Sequence, residues 1–419
     1  MSLAQPNVKQ VRILSLVAGV LCTSVTVAQA QWSQFGGPNR DFTSPSTGLA
    51  IQWPDGGPKK LWSRKLGNGY SGIAVDGGTL YTMYRAGNDE VVIALDAATG
   101  NTKWEHRYSA PASKGFDKSY GVAPRSTPLV LSDRLVTLGI TAQMRCLDKA
   151  TGKVLWSHDL LKEYQASPLM WGYASSALAY KNSVIVPVGG DGHGVMAFDL
   201  QSGAVLWSKH DFRNAYSSPM MINVDGQEQL LVFMLPGVFG LDPTNGDLLW
   251  SFPHVTSYGV NASQPVWGDD GLLFISSDYG AGSRALRLTR SGERTKVEQV
   301  WAQKKMKVHF GSVIRVGDLI YGSSGGNGPV FFAAVNAKTG EMAFSHRGLL
   351  AKAQLLFADG KLILLDEDGQ LLIATPTHDG LTIHAKATLL DGVAWTAPSL
   401  VGKKLYLRDK KKIMAVELN

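Results

Sequence analysis

The chain has 419 residues, of which 44% are hydrophobic and 18% charged, and its formal net charge is +7. This mild charge is carried by scattered lysines and arginines, which gives no support for a nucleic-acid-binding surface. Beyond the N-terminal region no apolar run approaches the roughly 18 residues that a membrane-spanning helix needs, so no transmembrane segment is expected in the mature chain.

Residues 1–30 have the three parts of a secretory signal peptide. Lys9 and Arg12 precede the apolar stretch 13–27, and Ala28-Gln29-Ala30 supplies the small residues of a cleavage site. We expect the mature chain to begin at Gln31, in the periplasm or outside the cell. Removing the two basic residues lowers the formal charge from +7 to +5.

The two cysteines do not favour a lipid anchor or a disulfide. Leu21 stands in front of Cys22, where a lipoprotein requires a small residue, so the sequence argues against lipidation. After cleavage Cys146 is left alone, so no intrachain disulfide can form, and we interpret it as a buried filler. Residues 31–58 are predicted to form an N-terminal extension before the repeated part of the chain.

A repeated pattern covers residues 59–419. Each copy has a small residue, a hydrophobe and usually an acid, then a turn and an aromatic residue. A clear copy reads Ala94-Leu95-Asp96, Thr99-Gly100 and Trp104. The later small positions are Cys146, Ala197, Gly240, Ala285, Ala334, Ala374 and, in a final half copy, Ala415. The ring positions are Trp62, Trp104, Trp156, Trp207, Trp250, Trp301, Phe344 and His384.

The spacing of the ring positions predicts the architecture. Successive positions are 40 to 52 residues apart, and each interval holds three or four short runs rich in Val, Ile, Leu and Tyr. Gly, Asp and Asn bound these runs, as is usual for antiparallel strands. Four strands in such an interval make one blade of a β-propeller.

The two ends of the chain complement each other. Residues 412–418 supply a third strand without a fourth, and residues 60–66 supply a fourth strand without a third. Pairing them completes an eighth blade and removes two exposed sheet edges. We therefore predict an all-β, eight-bladed β-propeller of four-stranded antiparallel blades, with the last blade closed by the N- and C-terminal strands.

The repeated residues are interpreted as scaffold. In Asp-x-x-Thr-Gly the acid can accept backbone N–H bonds across a tight turn, and glycine tolerates a positive φ. The small residues are expected where neighbouring sheets approach closely, and the aromatic residues are expected to fill the space between blades.

Function is expected on one face of this scaffold. The loops between blades share a face with the loops that join the second and third strands, and they are longer than the turns opposite. Their rings either form a binding funnel or fill the axis, and the sequence leaves both alternatives open. The candidate residues are Arg125, Trp171, Tyr173, Tyr216, Tyr258, Asn261, Tyr279, Lys307, His309 and Trp395.

The repeat A-x-D-x-x-T-G-x-x-x-W resembles that of the pyrroloquinoline quinone (PQQ) dehydrogenases and of the BamB outer-membrane assembly lipoproteins, both eight-bladed propellers. The segment 32–41 is similar to the start of secreted PQQ-binding-like β-propeller repeat proteins. The same family resemblance is carried by Asp278-Tyr279-Gly280, Trp395-Thr396-Ala397-Pro398 and Tyr406-Leu407-Arg408-Asp409.

The chain departs from the dehydrogenases at their functional residues. Those enzymes are similar in repeat but set a vicinal cysteine pair against the quinone, which one cysteine cannot supply. They also hold calcium with a Glu, Asn and Asp set. Glu367, Asn261 and Asp278 are available here, but nothing in the sequence places them together.

Two functions follow from the resemblance. The favoured one is a non-catalytic periplasmic or secreted propeller, monomeric and without an assured cofactor, that binds a protein, peptide or glycan on its looped face and central funnel. The alternative is a quinoprotein oxidoreductase acting on alcohols or sugars. It would stack PQQ between Trp or Tyr rings in the funnel, hold the quinone carboxylates with Arg125 or Lys307, and carry Ca²⁺ beside them.

Overall fold

The computed structural model describes residues 1–2, 31–326, 329–348 and 350–419. The predicted signal peptide, apart from its first two positions, lies outside the described residues. The described chain forms eight four-stranded antiparallel sheets, in which strand order follows chain order except at the closing blade. The prediction of an all-β, eight-bladed propeller is confirmed.

The N-terminal strand β1 (Lys59–Lys65) belongs to the closing blade. Blade 1 consists of β2 (Ala74–Asp76), β3 (Thr79–Ala86), β4 (Asp89–Asp96) and β5 (Thr102–Ser109), and blade 2 of β6 (Leu129–Val130), β7 (Arg134–Leu138), β8 (Gln143–Asp148) and β9 (Val154–Asp159). One helical turn, α1 (Leu160–Glu163), follows. Blade 3 consists of β10 (Leu178–Tyr180), β11 (Ser183–Pro187), β12 (Val195–Asp199) and β13 (Val205–Lys209), and blade 4 of β14 (Met220–Val224), β15 (Gln227–Phe233), β16 (Gly237–Leu241) and β17 (Leu248–Pro253).

Blade 5 consists of β18 (Val266–Trp267), β19 (Leu272–Ser277), β20 (Gly282–Ser291) and β21 (Arg294–Gln303), and blade 6 of β22 (Ile314–Val316), β23 (Leu319–Ser324), β24 (Phe331–Asn336) and β25 (Met342–Arg347). Blade 7 consists of β26 (Gln354–Ala358), β27 (Lys361–Leu365), β28 (Gln370–Thr377) and β29 (Gly380–Thr388), and blade 8 of β30 (Ser399–Val401), β31 (Lys404–Arg408), β32 (Lys412–Glu417) and β1. The part of the chain that the structure describes includes no helix with the length and apolar composition needed to span a bilayer.

The two ends of the propeller meet in blade 8 as predicted. β1 pairs antiparallel with β32, so that Lys59 lies opposite Glu417 and Lys65 opposite Lys412. The inner strands of a blade are covered on both faces by neighbouring blades, and β3 and β4 are accordingly almost entirely buried. The outer strand β5 alternates between partly buried and exposed positions. This burial explains why the inner strands are near-continuous apolar runs.

The small residues of the repeat make room for tryptophans within their own blade. Ala94 lies opposite Trp104, and Gly240 lies opposite Trp250. A Cβ atom added to Gly240 would be 1.9 Å from Nε1 of Trp250. We expected these small residues where neighbouring sheets approach closely. The structure instead shows that they leave space for the tryptophan on the adjacent strand of the same blade.

Five of the six tryptophans at the ring positions also dock on a turn of the next blade, whereas Trp250 donates its indole N–H to Gln229 of its own blade at 2.7 Å. The Trp62 indole donates a hydrogen bond to the carbonyl oxygen of Ala97 at 3.1 Å, and a Cβ atom on Gly100 would lie 2.6 Å from its ring. The same contact recurs for Gly152 over Trp104, Gly203 over Trp156, Gly246 over Trp207 and Gly340 over Trp301. The turn glycine is therefore needed for its missing side chain as well as for its positive φ, and the aromatic column does fill the space between blades.

Blade 7 departs from the predicted register by one residue. Ile373 lies opposite Ala385 and Ala374 opposite Ile383, so His384 is the unpaired bulge residue. The prediction that Ala374 and His384 are the small and ring positions is wrong. Their places are taken by Ile373 and Ala385, so the larger residue of this pair lies on β28 and the smaller one on β29.

The acidic residue of the repeat caps its turn. Asp96 Oδ1 accepts hydrogen bonds from the N–H of Ala98 at 3.0 Å, and from the N–H and hydroxyl of Thr99 at 2.9 and 3.0 Å. Asp148 and Asp199 accept equivalent bonds in blades 2 and 3. The hydroxyl and N–H bonds favour the carboxylate, and they lower the pKa of all three side chains.

We expect the combined substitution Asp96→Asn, Asp148→Asn and Asp199→Asn to lower the thermal midpoint and to flatten its acid dependence. A carboxylate with a lowered folded pKa stabilises the native state above its unfolded pKa of about 3.9, and this contribution is lost as the pH falls through the folded pKa. The gap between wild type and variant should be widest near pH 7 and should narrow towards about pH 3. Melting curves at the two pH values measure the gap, with the exposed Asp55→Asn as control. An equal gap at both would contradict the assignment.

Candidate binding site on the propeller axis

A ring of hydroxyl groups joins the blades around the axis. In four of the eight blades (1, 3, 4 and 8), one residue just before the first strand carries a hydroxyl that donates to a backbone oxygen of the following blade. Ser71 donates to Ser126 at 2.6 Å, and Ser175 donates to Ser217 at 2.8 Å. Thr396 of blade 8 donates to the Tyr70 carbonyl oxygen at 2.9 Å. This bond joins blade 8 to blade 1 across their interface, which we call the closing seam.

The repeat positions on either side of this ring line an axial cavity with a volume of about 190 Å³. The preceding position supplies Tyr70, Arg125, Ala174, Tyr216, Ala262, Phe310 and Trp395. The following position supplies Gly72, Thr127, Ser218, Gln264, Ser312, Gln354 and Ala397. The first set is rich in rings and the second in neutral polar groups, so the cavity has an aromatic level and a polar level.

The rings at the aromatic level contact one another around the cavity mouth. Centroids are 5.9 Å apart between Trp171 and Tyr216, and 5.8 Å between Trp171 and Tyr120. Tyr120 in turn contacts Trp395 at 5.6 Å, and Trp395 contacts Phe310 at 5.1 Å. We call these five residues the aromatic girdle. Because they come from different inter-blade loops, the propeller brings together rings far apart in sequence.

Trp395 is oriented by an ion pair beneath the girdle. Its indole N–H donates to Glu367 Oε2 at 3.0 Å, and Lys352 Nζ lies 3.0 Å from the same oxygen. The Lys352 ammonium also lies 5.5 Å from the centroid of the Trp395 ring. The Glu367 carboxylate is therefore engaged in positioning Trp395.

Residues 32–43 of the N-terminal extension cross the other end of the cavity, and we call them the axial plug. Trp32 exchanges two backbone hydrogen bonds with Val75 of blade 1, at 3.1 and 2.8 Å. Arg40 donates to the carbonyl oxygen of Ala177 in blade 3 at 3.0 Å, and the Phe42 carbonyl accepts from Phe357 N–H in blade 7 at 2.9 Å. Blades 3 and 7 are opposite in a ring of eight, so the plug spans the channel.

The plug forms a closed floor for the cavity. Trp32, Phe35 and Phe42 line it, and the two phenylalanine rings meet edge to face with centroids 5.2 Å apart. A Cβ atom on Gly37, whose φ is +80°, would lie 2.9 Å from the Trp32 ring. The aromatic girdle precedes the first strands whereas the plug pairs with those strands, so the cavity is closed at the floor and faces the inter-blade loops.

Arg125 brings positive charge to the cavity mouth. Its guanidinium donates to the carbonyl oxygen of Trp171, and to that of Gly121 at 3.1 Å. Burial lowers the pKa of Arg125. Within the described chain no carboxylate forms a salt bridge with this group, and no Asp or Glu is found among the described lining residues.

Several neutral polar atoms at the cavity have no hydrogen-bond partner among the residues that the structure describes. Both the oxygen and the nitrogen of the Gln264 amide are in this state, and its side chain is only 5% exposed. Gln354 accepts from the N–H of Ser312 at 3.3 Å, but its Nε2 is unpaired. His309 Nε2 lies 3.1 Å from the Tyr279 hydroxyl, while its Nδ1 is unpaired. Burial lowers the pKa of His309 to about 4, so its ring is neutral at pH 7.

The ten residues predicted from the loops divide into two groups. The cavity lining contains six of them: Arg125, Trp171, Tyr216, Tyr279, His309 and Trp395. Whether they bind a ligand stays a prediction.

The other four predicted residues lie elsewhere. Tyr173 is 2% exposed and donates to the Val188 carbonyl oxygen at 2.7 Å, and the buried Asn261 donates to the Met234 carbonyl oxygen at 2.8 Å. Both therefore hold loops in place.

Tyr258 and Lys307 stand near the cavity without lining it. Tyr258 is 68% exposed and packs against Tyr279, with centroids 5.4 Å apart. Lys307 Nζ lies 3.6 Å from an oxygen of Asp278.

Sequence reasoning missed two groups of lining residues. The first group is Tyr70, Tyr120, Phe310, Gln264 and Gln354 of the loops, and the second is the plug. Aligning the residues just before each first strand would have found most of the first group. No signal in the repeat points to the plug, because residues 31–58 contain no copy of it.

The described residues do not fit a calcium-bound quinone of the dehydrogenase type. They contain no group of three or more His, Cys, Asp or Glu side chains placed to hold a metal ion. Glu367 is engaged by Lys352, and Asp278 by Lys307. Cys146 is buried opposite Trp156, where burial raises the pKa of its thiol.

The fold and the axial cavity define the class of protein, a closed eight-bladed propeller with tryptophan-docked blades. The family model described as outer membrane protein assembly factor BamB matches residues 49–116 and 88–345, well over half of the chain. The chain therefore belongs to this family.

Individual matches include both an assembly factor and dehydrogenases. Over 176 residues the chain is 27% identical to the quinoprotein alcohol dehydrogenase PedH of Pseudomonas putida, a match that covers 39% of this chain and 28% of that protein. The structure is similar to BamB from Moraxella catarrhalis, with a TM-score of 0.58, 18% identity, and coverage of 85% of this chain and 97% of that one. It is also similar to the quinohemoprotein alcohol dehydrogenase of Comamonas testosteroni, with a TM-score of 0.66, 12% identity, and coverage of 93% and 80%. At these identities the structural likeness shows the fold alone.

Proposed function

We propose that this protein is a non-catalytic binding propeller of the periplasm or the extracellular space. It holds a protein, peptide or glycan partner on the face of the inter-blade loops and in the axial cavity. Membership of a family described as an outer membrane assembly factor supports this role. The observation that carries the proposal is the aromatic girdle over a cavity whose described lining has no carboxylate.

The girdle has the character of a protein-binding hot spot. Trp171 and Tyr216 are partly exposed at the mouth, and aromatic rings at the centre of an interface contribute more binding energy than other side chains. They are held by the scaffold before any partner arrives, which reduces the entropy lost on binding. Among the described residues no group of three or more His, Cys, Asp or Glu side chains is placed to hold a metal ion, which argues against a metal-dependent dehydrogenase activity of this chain.

We expect the purified protein to retain a partner from an envelope extract, and Trp171→Ala to weaken that retention at least tenfold. Truncating a central tryptophan commonly costs about 2 kcal/mol or more of binding energy, which exceeds a factor of ten. Quantitative mass spectrometry of the retained material measures the change. Leu206→Ala is the matched control, because Leu206 is 53% exposed on the outer strand β13, away from the mouth. Equal loss for both variants, or no loss for either, would contradict the assignment of this face.

A further inference from the structure

The Gln264 amide is the strongest unexplained feature of the cavity. It is 5% exposed, it lines the cavity, and neither its oxygen nor its nitrogen has a hydrogen-bond partner among the described residues. Buried amides are normally paired, and an unpaired one is destabilising. The unpaired Nε2 of Gln354 lines the same cavity. One wholly unpaired amide and one half-paired amide in the same pocket point to a ligand that satisfies them.

The kinds of atoms left unpaired select the chemistry of that ligand. The Gln264 oxygen needs a donor, whereas the two amide nitrogens need acceptors. A carboxylate or phosphate offers acceptors alone and would leave the Gln264 oxygen unsatisfied. A hydroxyl group both donates and accepts, and neighbouring hydroxyls can pair with the oxygen and the nitrogen of one amide.

The walls above the amides fit the same kind of ligand. The aromatic girdle and Tyr70, whose ring stacks on Trp395 with centroids 5.1 Å apart, present flat apolar faces next to the polar level. A sugar ring has C–H faces that pack on aromatic rings and hydroxyls at its edge. The cavity volume of about 190 Å³ is below the roughly 300–1,000 Å³ of sites for drug-sized ligands and suits a single ring.

We infer that the axial cavity binds one neutral sugar residue, with the Gln264 amide pairing with adjacent hydroxyls and the aromatic girdle stacking on the sugar ring. This inference rests on the proposed binding function and names its ligand. The sugar enters from the face of the inter-blade loops, because the axial plug closes the opposite end. Free sugars and the ends of oligosaccharides share this chemistry.

The test is a titration of the protein that begins at Gln31, in which the fluorescence of the girdle tryptophans is the readout. Glucose, N-acetylglucosamine, cellotetraose and chitotetraose are the probes, and the tetrasaccharides distinguish a glycan end from a free sugar. We expect a saturable change with at least one probe and at least a tenfold weaker affinity for Gln264→Leu. The control Gln52→Leu, at an exposed position of the N-terminal extension, should bind like wild type.

A second measurement separates ligand binding from a structural role of Gln264. Leucine of similar size removes both unpaired atoms, so the thermal midpoint of the free Gln264→Leu protein should equal or exceed that of wild type. A lower midpoint would assign Gln264 to the scaffold and overturn the inference. So would sugar binding that Gln264→Leu leaves intact, or no binding of any sugar.

A planar anion is the competing ligand class. Saturable binding of PQQ or benzoate without binding of the sugars would also overturn the inference. Retention of an envelope partner that depends on Trp171, combined with no response to sugars, would leave the proposed function standing while the sugar inference fails.

Discussion

Replacing Arg408 with leucine is expected to lower the free energy of unfolding by about 3–5 kcal/mol. Arg408 lies on β31 of blade 8 and is fully buried. Its guanidinium donates to the carbonyl oxygens of Gly69 and Met83 at 3.0 and 2.9 Å, and to the hydroxyl of Thr82 at 2.9 Å. These acceptors belong to blade 1 and the loop before it, so the lost bonds are among those that join blade 8 to blade 1. Leucine would leave them buried without donors.

Urea unfolding monitored by tryptophan fluorescence measures the loss. The stability of Arg408→Lys should fall between those of wild type and the leucine variant, because an ammonium keeps the charge but not the planar fork that reaches five acceptors. Arg294→Leu, on the exposed end of β21, should change stability by less than about 0.5 kcal/mol. An unchanged midpoint for Arg408→Leu would show that the seam does not depend on this side chain.

Trp32→Ala is expected to release the axial plug and to make the peptide bond after Arg40 a trypsin site while the blades stay folded. Trp32 is 3% exposed, and truncating a buried tryptophan costs about 3–5 kcal/mol. If that cost falls on docking of the plug, the opened population rises at least about a hundredfold, and cleavage rises with it. Arg40 is the sole Lys or Arg between residues 31 and 58, so a fragment that ends at Arg40 shows that trypsin has cut within the released plug.

Mass spectrometry of a short trypsin digest detects the fragment that ends at Arg40. Trp207→Ala is the matched control, because Trp207 is 8% exposed but lies between blades, far along the chain from the plug. The control should lose stability without early cleavage after Arg40. Equal cleavage rates in the two variants would indicate that the plug opens with the whole propeller rather than separately from it.

The fold could be predicted from the sequence because the residues that specify each blade are close together in the chain and recur in every blade. Trp62 and Ala415 lie at opposite ends of the chain, yet each carries one half of the repeat, and the structure sets them opposite each other. Where the repeat is weak, the prediction of the paired residues from the local sequence was wrong. Every blade has a bulge one residue before its ring position, and in blade 7 that bulge is His384. The paired residues are therefore Ile373 and Ala385, with the large residue and the small one on opposite strands from the other blades.

The candidate site was predicted in part, because the position of a loop indicates the face of the propeller on which it lies but not the direction in which each side chain points. Trp171 and Trp395 were placed at the mouth by this reasoning, and both line the cavity. Tyr173 and Asn261 belong to the same loops but turn inwards to bond backbone carbonyl oxygens. Adjacent residues of a loop can face the axis or the blade, and hydrophobicity does not separate the two.

The sequence by itself determined the number of blades, the docking of tryptophans between them and the joining of the two ends, because each depends on contacts that recur at a fixed spacing. The tertiary structure alone decided what lies on the axis. Gln264, the aromatic girdle and the axial plug meet there through residues of the inter-blade loops and of the N-terminal extension, and each contact occurs once. Contacts that occur once have no sequence period from which they could be predicted. They are therefore seen only in the folded propeller.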